Sequence, residues 1–144
     1  MPHKTLTRRL AVAGQLSADA IRDLAEQGFT TVICNRPDGE EPGQPPLTAL
    51  EAAAREAGLA FHHIPVSGGE FPESAITAFG EVLEQADGKV MAYCRSGTRS
   101  TCLWALSQAR DTEPASLIEA GARAGYDLSG LAQALTARHG GKSE

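Results

Sequence analysis

This chain has no run of Lys and Arg longer than the pair Arg8-Arg9, and no apolar segment near the ~18 residues that a membrane helix requires. Its net charge is −5. The first absence, with that charge, argues against a nucleic-acid or anionic-membrane partner. The second argues against a membrane-spanning helix, and Met1-Pro2-His3-Lys4-Thr5 leads into no long apolar stretch, so no signal peptide is expected. Cysteine is scarce as well. Cys34, Cys94 and Cys102 are an odd number with no Cys-x-x-Cys pair, so neither a disulfide framework nor a zinc site is expected. No metal or cofactor is expected, and a reducing cytoplasm is the natural compartment. Internal repeats are absent. Aspartate is missing from the whole stretch between Asp38 and Asp87.

What is present suits one ordinary domain over residues 1–144, 42% hydrophobic, with its core over about 5–137. Leu6 to Gly14 reads as a first strand and turn. Ser17 is a good N-cap for a helix over Ala18 to Gln27, with Ile21, Leu24 and Ala25 as its apolar stripe and Gly28 as its stop. Phe29 to Cys34 is a short β-branched run and reads as a buried strand. Asn35 to Pro46, rich in Pro, Gly and acidic residues, reads as loop. A helix over Leu47 to Ala57 is stopped by Gly58. A strand over Ala60 to Val66, a loop over Ser67 to Phe71 and a helix from Pro72 to about Ala86 follow. Lys89 to Tyr93 is a further buried strand. Helices are expected over Ser100 to Arg110, from Glu113-Pro114, and over Leu128 to Arg138. Strands alternating with helices imply an α/β fold, with a mainly parallel central sheet flanked by helices on both faces. Ligands in such sheets sit at the carboxyl ends of the strands. Cys94, the loop after Cys34 and the loop after Val66 should therefore share one face.

Cys94-Arg95-Ser96-Gly97-Thr98-Arg99 is the most informative stretch. It joins a strand to a helix N-terminus with a thiol at the hinge. Loop amides and the helix dipole favour an anion there, and the same donors favour the thiolate at neutral pH. Cys94 is the candidate nucleophile. Arg99 adds a fixed positive charge that should stabilise negative charge on the bound group. Gly97 permits a backbone conformation that a larger residue would strain. Ser96, Thr98 and Ser100 add hydroxyl donors, Ser100 being better placed as a helix cap. Arg95 either selects a charged donor at the rim or is a solvated surface arginine. Arg36 and Asp38 either line the pocket or pair with each other. Cys34 either approaches Cys94 as a resolving thiol or is a buried spectator, while Cys102 and Trp104 read as core. His62 and His63, neighbours on a strand, point to opposite faces and cannot form one metal pair; one is expected toward the core and one toward solvent. Ser67-Gly68-Gly69-Glu70 is either a mobile rim over the substrate or a plain connection.

The cysteine loop resembles two related chemistries. Cysteine-dependent phosphatases place five residues between cysteine and arginine; rhodanese-type sulfurtransferases place four. Here four intervene, and Ser100 holds the position of a phosphatase arginine. Elsewhere the chain looks less like a rhodanese. Thr30-Thr31-Val32-Ile33-Cys34-Asn35-Arg36-Pro37 and Phe61-His62-His63-Ile64-Pro65-Val66 resemble dual-specificity phosphatases. Together with Ala124-Gly125-Tyr126-Asp127-Leu128 they resemble the phosphatase-like domain of beta-lactamase-hydrolase-like proteins, a family described both as phosphatases and as sulfurtransferases.

That resemblance implies a cysteine-phosphatase-like fold. Its loop count implies rhodanese-type sulfur transfer. Cys94 would take a sulfane sulfur from thiosulfate or a glutathione persulfide, Arg99 and the loop would hold the persulfide, and a thiol or sulfite would accept the outer sulfur by ping-pong kinetics. A role in sulfide detoxification and a metallo-hydrolase partner of the persulfide dioxygenase kind go with this reading. The alternatives are a cysteine-dependent phosphatase of the dual-specificity type and a non-catalytic module that binds persulfide or an oxyanion. Two departures weigh against phosphate-ester hydrolysis. With no aspartate between Asp38 and Asp87, Glu70 is the substitute acid at hand, and Tyr93 stands where such phosphatases carry a histidine.

Overall fold

The computed structural model describes residues 3–67 and 69–139. Its sheet contains β1 (Lys4–Thr5), β2 (Leu10–Ala13), β3 (Phe29–Cys34), β4 (Ala60–His63) and β5 (Lys89–Tyr93), in the order β1-β2-β5-β3-β4. β2, β5, β3 and β4 are parallel, and β1 alone is antiparallel. The helices are α1 (Ala18–Leu24), α2 (Leu47–Glu56), α3 (Glu73–Gln85), α4 (Thr98–Gln108), α5 (Pro114–Arg123) and α6 (Ala132–Arg138). This is the expected single α/β domain with a mostly parallel sheet between helical layers.

The two layers follow from the period of two along each strand. Leu10, Val12, Ile33, Val90 and Ala92 pack with Phe79 of α3, Leu103 and Trp104 of α4, Leu117 of α5 and Leu135 of α6. Their alternates Ala11, Ala13, Val32, Cys34, Met91 and Tyr93 pack with Ile21 and Leu24 of α1 and Leu50 of α2. β5 is central and buried on both faces. Each fully buried Leu, Ile or Phe contributes roughly 1.5–3 kcal/mol. The strand ends that carry the cysteine loop are thus fixed from both sides.

Several boundaries differ from expectation for local reasons. The first strand is a short hairpin, because Thr7 Oγ1 accepts the amides of Arg9 and Leu10 at 3.1 and 3.0 Å. β4 ends at His63, three residues early. Pro65 has no N–H to give, although Ile64 and Val66 still donate to Cys34 O and Asn35 O at 2.9 and 3.1 Å. The last helix opens with a 3₁₀ turn over Ser129–Leu131. Ser17 caps α1 as expected, accepting from Ala20 N at 3.0 Å. Gly28 stops that segment at φ 94°. His62 and His63 are both exposed, since β4 is an edge strand, so neither faces the core. No helix among the described residues is long and apolar enough to cross a membrane.

Candidate active site

The parallel order brings the carboxyl ends of β2, β5, β3 and β4 to one edge. Cys94 N continues the β2 pairing by donating to Ala13 O at 3.2 Å, and Gln15 N donates to Arg95 O at 3.3 Å. Gly14 permits this approach, since a Cβ there would stand 3.0 Å from Arg95 O. Cys94 is fully buried at the base of the loop, and its Sγ accepts the Gly97 N–H at 3.1 Å. Gly97 has φ 95°, a left-handed conformation that L side chains rarely adopt, and a Cβ there would collide with the Tyr126 hydroxyl. That hydroxyl donates to Ser96 O at 3.1 Å, so the segment after α5 braces the loop.

α4 begins at Thr98, two residues before the expected start, because Gly97 makes the turn and serves as N-cap. The first helical bond is Thr101 N to Gly97 O at 3.0 Å. The amides of Arg99 and Ser100 lie in the first turn, where no intrahelical acceptor exists. Such amides are donors for an anion. Ser96 Oγ and Thr98 Oγ1 bond each other at 3.1 Å on the exposed rim.

Ser100 is neither a cap nor a free donor. Its hydroxyl is buried and donates to Asn35 Oδ1 at 2.8 Å. Asn35 is fully buried and joins three elements at this edge: its amide donates to Tyr93 O and its Nδ2 to Ile64 O, both at 2.8 Å.

Arg36 and Asp38 do not pair. Asp38 Oδ1 accepts the Leu47 amide at 3.0 Å and caps α2, so it lies outside the loop cluster. The Arg36 side chain is only 4% exposed. Its Nε donates to Glu40 Oε1 at 2.8 Å, Nη1 to Gln15 Oε1 at 3.0 Å and Nη2 to Glu41 Oε1 at 2.9 Å. Both glutamates reach onward to the cysteine loop. Arg99 Nη2 donates to Glu40 Oε1 at 3.1 Å, and its Nη1 stands 3.1 Å from Glu40 Oε2. Arg95 Nη2 pairs with Glu41 Oε2 at 3.0 Å on the exposed rim. Burial works against the Arg36 charge, but the two glutamates overcome it and raise its pKa. The hydrogen bonds from Arg36 and then Arg99 hold the Glu40 carboxyl below the usual range. Three arginines against two glutamates leave one positive charge in excess at the loop.

The other thiols are held neutral. Cys34 Sγ donates to Arg36 O at 3.3 Å, and burial pushes its pKa up. Burial, with the charge of Cys94 adding, pushes Cys102 up to about 11. Beside Cys34 the Tyr93 hydroxyl is buried and makes no hydrogen bond of good geometry among the described residues, and burial raises its pKa too. At pH 8 a thiol near pKa 11 is ionised to only ~0.1%, and the thiolate is the reactive form. Iodoacetamide at pH 8 is therefore expected to leave Cys34 and Cys102 unmodified in the folded protein. Peptide mapping checks this, and early labelling of either would contradict the burial described.

Glu40, Glu41, Gln15, Asn35 and Tyr126 were not singled out from the sequence as site residues. Glu40-Glu41 sits in an irregular loop, where no periodicity marks a side chain's direction. The signal was charge complementarity to Arg95 and Arg99. A cleft of about 700 Å³, lined by residues of α3, α4 and α6 such as Glu73, Ser107 and Arg138, contains no residue of the cysteine loop.

A parallel sheet ending in a buried cysteine, a tight loop and a helix that follows with an arginine defines the class: a cysteine-phosphatase-like domain. The chain belongs to the family described as "Beta-lactamase hydrolase-like protein, phosphatase-like domain", whose model matches residues 2–111. A beta-lactamase hydrolase-like protein of Xylella fastidiosa (strain Temecula1) is 43% identical over 106 residues, which are 74% of this chain and 25% of that protein. The chain thus spans about a quarter of the length of that curated relative. A solved candidate phosphatase from Neisseria meningitidis Z2491 is 32% identical with TM-score 0.81, covering 92% of this chain and 94% of that one. Kinase-associated phosphatase, 15% identical, shares the fold with TM-score 0.74 over 94% of this chain and 91% of its own.

Proposed function

We propose that this chain is a cysteine-dependent phosphatase. The observation that carries the reading is Cys94 Sγ seated on the Gly97 amide at the start of α4, whose first turn carries Arg99, in a phosphatase-like fold. In the reaction, the Cys94 thiolate attacks the phosphorus of a phosphate monoester. The S–P bond forms as the P–O bond to the leaving group breaks, and the leaving oxygen takes a proton. Water then attacks the cysteinyl phosphate and the P–S bond breaks; inorganic phosphate leaves, the thiolate is restored, and the proton water gives up balances the one the leaving oxygen took. The loop amides and Arg99 stabilise the charge on the equatorial oxygens.

The leaving group is the weak point of this machinery. Asp38 is engaged in capping α2, and Glu70 sits exposed on the segment before α3. Substrates that leave without much protonation, such as aryl or acyl phosphates, fit better than alkyl phosphates. Sulfur transfer remains the second reading. It is favoured by the four-residue spacing from Cys94 to Arg99, and by Ser100 turning inward to Asn35 where a longer loop would carry its arginine.

One experiment separates them. Wild type is given 4-nitrophenyl, phenyl and alkyl phosphates, and in parallel thiosulfate, with intact mass recorded. Phosphate release is expected, falling steeply with leaving-group pKa. No release, with a gain of one sulfur on Cys94 (~+32 Da) that a thiol removes, would replace the phosphatase reading by sulfur transfer.

A further inference from the structure

The arginine of the cysteine loop is held by a carboxylate that is itself held by a buried arginine. A guanidinium has five N–H donors. In Arg99 the Nη end is engaged: Nη1 donates to Val66 O at 3.1 Å, and Glu40 spans both Nη atoms at 3.1 Å. The Nε edge has no acceptor among the described residues. A side-on fork of Nε–H and an Nη2 hydrogen is a geometry in which guanidinium binds an oxyanion.

Glu40 is anchored rather than free to swing. Its Oε1 accepts from both Arg36 Nε at 2.8 Å and Arg99 Nη2 at 3.1 Å. Arg36 in turn is fixed by Gln15 and Glu41, so all three of its nitrogens are used. A buried, fully paired arginine gives little net stability over an apolar substitute. Its place behind Glu40 is better explained by what it orients.

We propose that Glu40, anchored by buried Arg36, is a positioning residue for Arg99: it clamps the Nη end of the guanidinium and leaves the Nε edge for the anionic group bound over Cys94. This rests on Cys94 and Arg99 handling an anion as proposed above.

The test reads anion binding separately from turnover. Tungstate, an oxyanion that is not hydrolysed, is titrated by calorimetry into Cys94→Ser protein. The same protein then carries Glu40→Gln, Arg99→Ala or both, with thermal melts confirming the fold. Glu40→Gln is expected to weaken tungstate at least ~10-fold, and to weaken it less than ~2-fold further when Arg99 is already alanine. Arg36→Lys, which keeps the charge but lacks the fork, is expected to give part of the same loss. Glu119→Gln, on the exposed face of α5 and paired with Arg123 away from the cysteine loop, is expected to stay within ~2-fold. Tighter or unchanged tungstate binding by Glu40→Gln overturns the proposal, because Glu40 would then be a competitor or a bystander. An equal loss in the Arg99→Ala background overturns it as well, as does failure of the parent to bind tungstate. If the cycle behaves as expected but the wild type releases no phosphate, the phosphatase reading falls and the positioning role stands.

Discussion

Cys94→Ser is expected to lower kcat/KM on an aryl phosphate by at least ~10⁴-fold with the melting temperature nearly unchanged. A serine hydroxyl is almost entirely neutral at neutral pH, and the sulfur thiolate is the better nucleophile. No histidine precedes Cys94 to act as base; Tyr93 stands there, with its hydroxyl buried and its pKa raised. Serine is also nearly isosteric, and its oxygen can take the Gly97 N–H that Sγ now accepts at 3.1 Å. Loop geometry should therefore survive while the chemistry does not. Steady-state kinetics with a circular-dichroism melt check this. Residual turnover above about 1% would mean that another group attacks, and Cys94 would lose its role.

The strand pattern was legible because burial writes itself into the sequence. Phe29–Cys34 and Lys89–Tyr93 are short apolar runs with alternating partners on two faces, and both strands fall where the pattern puts them. The cysteine loop was legible because strand, thiol, glycine and helix start are adjacent in the chain. What was not legible is pairing across loops. Arg36 and Asp38 looked equivalent by position, yet Asp38 reaches nine residues ahead to cap α2 while Arg36 turns under the loop to hold Glu40 and Glu41. Ser100 stands where the pattern puts a cap, but the left-handed turn at Gly97, with the Tyr126 hydroxyl against it, starts α4 two residues earlier.

The loop count and the whole chain pointed in different directions. Four residues between Cys94 and Arg99 suggest sulfur transfer, whereas the family and the related structures are phosphatase-like. A single loop length is one local variable. The sheet order, the helix layers and the segments around Asn35 and Tyr126 are many, and they are coupled through one core. More of the chain therefore carries the phosphatase-like fold than the loop count carries a rhodanese one, and the loop length, not the fold, bears on which group fits over Cys94.

Asn35→Ala tests that coupling. It is expected to cost about 2–5 kcal/mol, from a junction with a buried hydroxyl and a half-buried carbonyl left without partners. Asn35 donates to Ile64 O and accepts from Ser100 Oγ, each at 2.8 Å, and is fully buried. Alanine keeps the backbone bond to Tyr93 O but strands the Ile64 carbonyl and the Ser100 hydroxyl. In a domain of this size that is a fall in Tm on the order of 10 °C. Activity should fall beyond what lost stability explains, since Ser100 lies in the first turn of α4 and its hydroxyl ties that turn to the end of β3. Measuring kcat/KM well below the mutant's Tm separates the two effects. A Tm within about 2 °C of wild type would show that the junction is held by the strands alone. Normal kcat/KM with a lowered Tm would show that the first turn of α4 keeps its place without Asn35.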